Sequence, residues 1–104
     1  MNILSKLLGG TKQVLHTGTA AWSAPAGFAA YAIECRVAAV HIDTLSEIRR
    51  KGEAAVAVTD YTWENIDTLL AGEQILFDFP VTSITLHNAG DSIWLFLIPF
   101  NTGL

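Results

Sequence analysis

The chain has 104 residues, 51% of them hydrophobic and 15% charged, with six basic against ten acidic side chains and a net charge of −4. That length holds one domain with one modest core, and an acidic chain with no basic block beyond Arg49–Lys51 argues against nucleic-acid binding through phosphate neutralisation. A lone cysteine, Cys35, leaves no intramolecular disulfide framework and no multi-cysteine zinc site.

In chain order, Ile3, Leu4, Leu7 and Leu8 share a helical face ahead of Gly9 and Gly10, which predicts an N-terminal arm or short docking helix over 1–10. This segment lacks the pattern of a cleavable leader, and no run approaches the roughly 20 apolar residues that span a bilayer, so no membrane partner is expected. Residues 11–104 then read as a single β-domain. The stretch "KQVLHTG" is a short strand, and "TAAWSAPAG" is a loop marked by Pro25 and Gly27. The alternation in "FAAYAIECRVAAVHI" is the clearest strand signal, with Tyr31, Ile33, Cys35 and Val37 on one face and Glu34 and Arg36 on the other. Val40 and Ile42 are out of phase with it, which predicts an end or kink near Ala38–Ala39. In this setting Cys35 reads as a small buried hydrophobe.

The stretch "DTLSEIRRKG" carries a helix-start signature, with Thr44 as cap, Glu47 three residues on and Gly52 as stop, although a structured loop fits nearly as well. "EAAVAVTD" predicts a further strand. Trp63, Ile66, Leu69 and Leu70 have helical spacing, but so short a helix is marginal alone and an extended edge is the alternative. "QILFDF", "VTSITL" and "SIWLFLI" predict three strands, the first two divided by Pro80. About six strands and at most two brief helices predict an all-β fold, a small antiparallel β-sandwich or jelly-roll-like barrel with one or two short helices.

The segment "LLAGEQILFDFPVTSITLHNAGDSIWLF" resembles a pattern in small tailed-phage virion structural proteins. Its elements are a turn at Leu69 to Gly72, a strand over Thr82 to Leu86, a hairpin at Asn88 to Gly90 and a last apolar strand over Ile93 to Ile98. Upstream, "YAIECRVAAVHIDTLSEI" resembles the strand and Asp-Thr loop that precede this block in those proteins. The resemblance implies a non-enzymatic structural subunit on the particle surface, assembled in the host cytoplasm. It further implies a place on the capsid surface or in a fibre, often as a trimer; of these the favoured reading is a homotrimer that decorates or cements the capsid against partners such as the major capsid protein.

The residues carry no motif for a chemical step: there is no G-x-S-x-G elbow and no phosphate-binding glycine loop. His16, His41 and His87 lie far apart and lack metal-site spacing; His41 and Asp43 share a strand face as a two-ligand fragment. No enzyme activity, metal or cofactor is therefore expected. Trp22, Tyr61 and Trp63 sit in loop-like stretches and are the candidate contacts for the alternative reading, a glycan-binding host-attachment or fibre module. The last strand raises the main question, because "SIWLFLI" is apolar on both faces. One face fills the core, and the other calls for a cover, either a helix of the same chain or a second copy. The second copy is the favoured reading, with Trp94, Phe96, Ile98 and Phe100 as the expected interface.

Overall fold

A computed structural model describes residues 12–37, 39–61 and 70–101. Seven strands follow in order: β1 (Lys12–Thr17), β2 (Trp22–Ser23), β3 (Phe28–Cys35), β4 (Ile42–Glu47), β5 (Val56–Tyr61), β6 (Gln74–Leu86) and β7 (Ser92–Pro99). All are antiparallel and form one sheet in the order β1-β7-β3-β6-β4-β5, with β2 also on β6. The expected all-β fold is present. The expected N-terminal helix and most of the ambiguous segment around Trp63 lie outside the described residues.

The long strand β6 makes one sheet serve as two layers. Its first half pairs with β3, from Gln74 opposite Glu34, and its second half pairs with β4, to Leu86 opposite Ile42. Between the pairs Ala30–Val81 and Ala32–Leu76, β3 has only Tyr31 while β6 has Phe77 to Pro80. A second irregularity places Thr82 as the extra residue between Ser46–Ser83 and Glu47–Val81. Irregularities of this kind bend a strand and sharpen its twist, so β6 carries the chain round the corner of a sandwich. The expected break at Pro80 is thus a bend within a continuous strand. Pro80 occupies the excursion where β3 offers no matching acceptor, and its carbonyl accepts from the Ile48 amide at 2.9 Å.

The core fills the space between the layers. Ile33, Ile42, Leu45, Ile75, Val81, Ile84, Leu86, Ile93, Leu95 and Leu97 are all buried in it, with Trp22 and Phe77 at its margin. Cys35 is buried as expected, and its Sγ donates to the Val37 carbonyl at 3.0 Å. Val37 itself is exposed, because β3 already ends at Cys35. Ala39 holds a φ of 69°, a conformation costly for a residue with a Cβ, and it marks the change of phase expected there.

One expectation is overturned: "DTLSEI" is strand β4, not a helix. Ile42, Leu45 and Ile48 are buried at helix-like intervals of three, but an irregularity at Asp43 produces the first interval. Against β6, Ile42–Leu86 is followed by Thr44–Thr85, leaving Asp43 as the extra residue. Strand pairing on both sides, to β5 and β6, outweighs the weak local preference of a short capping box.

Candidate functional site

The outward face of the β1–β7–β3–β6 layer is built from residues opposite one another across the strands, which lie on a common face. Leu15, Trp94, Glu34 and Gln74 form one row; Gln13, Phe96, Ala32 and Leu76 form the next, with Ala29 opposite Ile98 beyond. Leu15 is 44% exposed and Leu76 60% exposed, whereas Phe96 is 2% exposed. Trp94 and Ile98 are half-buried, and Ala29 and Ala32 are buried outside the main core cluster. β7 therefore has two apolar faces, as its sequence indicates, but the centre of the outer one is already covered within a single chain. Of the expected interface residues, Phe96 has no exposed surface to offer, so the apolar area that remains lies around it. Glu34 is the one charged residue in these rows, and its carboxylate accepts from the Gln74 side-chain amide at 2.8 Å.

Phe100 stands apart from those rows, at the end of β7. It is half-buried, edge-on to Tyr31 with ring centroids 6.4 Å apart, and its amide donates to the Gly27 carbonyl at 2.8 Å. Beside it is an open groove of about 800 Å³ between the loop 24–28, Thr82 and Pro99 to Asn101. Its walls carry Pro25, Phe28, Pro99 and Phe100 together with Thr82 and Asn101, so it is a mixed apolar and polar surface. Burial pushes the Tyr31 hydroxyl above its usual pKa, so that group stays protonated across the physiological range.

The expected glycan contacts fare unevenly. Trp22 is 8% exposed and belongs to the core, paired with Ile84; with its ring inside the sandwich, it cannot stack on a sugar, and that expectation is corrected. The Tyr61 side chain and Trp63 fall outside the described positions.

The fold also assembles a polar cluster of which sequence spacing discloses only His41 and Asp43. β4 begins at Ile42 beside the end of β6, and the His87 amide donates to the His41 carbonyl at 2.9 Å. This sets the two imidazoles edge to face with centroids 5.1 Å apart. The bulged position of Asp43 brings its carboxylate between them: Oδ1 lies 2.8 Å from His87 Nδ1 and 3.6 Å from His41 Nε2. Beneath, buried Asp91 accepts from the amides of Asn88 at 3.1 Å and His41 at 3.3 Å, which fixes the β6–β7 turn against the start of β4. His16 takes no part; its Nε2 contacts the Ala20 carbonyl at 2.8 Å. Among the described residues no group of three or more His, Cys, Asp or Glu side chains is already spaced to hold a metal ion.

Comparison with protein-family models, with curated proteins and with solved structures finds no match to this chain.

Proposed function

We propose that this chain is a non-enzymatic structural subunit of a tailed-phage virion, a homo-oligomer with a trimer favoured, that decorates or cements the capsid surface against the major capsid protein. The observation that carries the assembly reading is the outer face of the β1–β7–β3–β6 layer. Leu15, Leu76, Trp94 and Ile98 retain exposed apolar surface there, and Glu34 is the one charged residue in the outward-facing rows they share. Apolar area on one face of a small domain is stabilised by a second surface laid over it, and copies related by a closed symmetry supply one without leaving a further patch open. The tailed-phage setting rests on the resemblance of the C-terminal third, and of the upstream segment Tyr31 to Ile48, to virion proteins. Function in this reading is association by mass action, with no chemical step.

The glycan-binding alternative is weakened by the burial of Trp22. The deciding experiment is the solution mass of the full chain by light scattering after size exclusion, followed by Trp94→Lys. A lysine there faces Glu34 across the strands, so the fold keeps a compatible pair while the apolar face gains a charge. The expected result is a closed oligomer for the parent chain and a folded monomer for the variant. A parent chain that is monomeric at all concentrations, and that does not bind capsids, overturns the proposal.

A further inference from the structure

We propose that His41, Asp43 and His87 form a surface site for a divalent transition-metal ion of the zinc class, held by His41 Nε2, Asp43 Oδ1 and His87 Nδ1 with water completing the coordination. The site lies within one chain and does not depend on the assembly reading.

Three features support it. The first is convergence: two ring nitrogens, from the residue just before β4 and the residue just after β6, approach a single carboxylate oxygen, at 3.6 and 2.8 Å. In a tetrahedral zinc site, ligand bonds of about 2.0–2.1 Å put neighbouring ligand atoms about 3.3 Å apart. The two observed separations bracket that value, so His87 has to retreat by about 0.5 Å and His41 to advance by about 0.3 Å to admit an ion. As it stands the three side chains contact one another, and among the described residues no group of three or more His, Cys, Asp or Glu is found in metal-holding geometry. The contacts among the three side chains are through the very atoms that would bind metal. Two imidazoles and a carboxylate form a donor set suited to zinc, copper, nickel or iron, whereas calcium and magnesium favour sites made of oxygen alone.

The second feature is a framework that holds the donors together. The His87 amide bond to the His41 carbonyl fixes the relative position of the two strands. Ile42, between His41 and Asp43, is fully buried in the core, and the irregularity at Asp43 aims its carboxylate across to β6. Asp91 locks the adjoining turn through the His41 and Asn88 amides. The movement required is therefore a side-chain adjustment on a fixed backbone. The third is access: the side chains of His41, Asp43 and His87 are 23%, 37% and 58% exposed, so an ion can reach them from solvent without opening the fold.

The test uses the full chain, freed of metal by chelation and dialysis, titrated calorimetrically with Zn²⁺ and optically with Co²⁺. The expected result is one saturable equivalent per chain, a raised melting temperature with Zn²⁺, and Co²⁺ absorption bands indicating nitrogen ligands. His87→Ala and Asp43→Asn should each weaken binding at least as much as the roughly 10–100-fold loss that follows removal of a mere supporting partner. His16→Ala should leave it unchanged. Because His87 is exposed, the variant's circular dichroism is expected to match the parent; independently, the His41 and His87 ring resonances of the parent should shift on Zn²⁺ addition while those of His16 do not. Absence of saturable binding, binding that survives His87→Ala or Asp43→Asn, or unmoved His41 and His87 resonances would overturn the assignment.

Discussion

Leu76→Glu separates the stability of the fold from the stability of the assembly. Leu76 points outward from β6 opposite Ala32 and is 60% exposed in the single chain. A substitution at so exposed a position is expected to change folding stability by no more than about 0.5 kcal/mol. Full burial of a leucine side chain is worth about 1.5–3 kcal/mol, so covering the part still exposed contributes about 1–2 kcal/mol per copy. In a trimer that uses each copy's Leu76, the sum is about 3–6 kcal/mol, and at 1.4 kcal/mol per decade the association constant falls by about 10²–10⁴-fold. The glutamate adds the cost of removing its own charge from water. Light scattering over a dilution series gives the mass, and thermal unfolding at the concentration where the variant is monomeric gives the fold. The expected outcome is a variant that dissociates at concentrations where the parent chain holds together, with a monomer that still melts cooperatively. An unchanged mass at every dilution refutes the reasoning by removing Leu76 from the interface, and a variant that does not fold refutes the premise that its outer surface is free.

On the opposite face of the sheet, Leu95→Ala removes a fully buried side chain and should cost about 2–5 kcal/mol. Calorimetry should record a fall in melting temperature of about 4–8 °C per kcal/mol, and an unchanged melting point would place Leu95 outside the core. Asp91→Ala strips the acceptor from the His41 and Asn88 amides and should cost about 1–3 kcal/mol in urea unfolding; a loss within error would mean that water replaces the carboxylate without penalty. Burial pushes the Cys35 thiol pKa up from its ordinary 9.0, so native chain at pH 8 should react with a thiol reagent far more slowly than chain in denaturant. Because the raised value belongs to the folded state, the associated stability is complete below pH 9.0 and is lost as pH rises towards the folded value. The alkaline fall in urea midpoint should therefore be shallower in Cys35→Ala, and identical slopes would contradict the shift.

Period-two alternation was legible in the first strand, where exposed and half-buried residues take turns and the pattern reports burial directly. It failed where irregularities shift the phase. Ile42 and Leu45 sit three apart as on a helix because Asp43 is extruded from the β6 pairing, and Ile48 repeats the interval just past the end of β4; no local rule distinguishes that spacing from a true helical turn. Pro80 misled for a related reason. A proline usually interrupts a strand, yet here it stands in a four-residue excursion opposite Tyr31, where a missing amide costs nothing. The His41–Asp43–His87 cluster was half visible, since His41 and Asp43 are two apart. Asp43 and His87 are 44 residues apart, so only the register of β4 on β6 could reveal the third group.

The two apolar faces of β7 show why the overall shortage of charge does not by itself locate an interface. Ile93, Leu95 and Leu97 account for one face by entering the core, and burial of Phe96 beside Ala29 and Ala32 removes the centre of the other from consideration. What remains is a rim, Leu15, Trp94, Leu76 and Ile98, accompanied in its rows by the single charge of Glu34. The connection from β4 to β5 is the opposite case, with Arg49, Arg50, Lys51 and Glu53 all exposed. Charge concentrated on one connection keeps that part of the surface in water, whereas a rim with Glu34 as the one charge in its rows can enter an interface with a single carboxylate to desolvate. This separation favours the β1–β7–β3–β6 face for association over the β4–β5 connection. It also means that substitutions at Arg50 or Lys51 should leave any oligomer intact, while a charge placed at Trp94 or Leu76 should not.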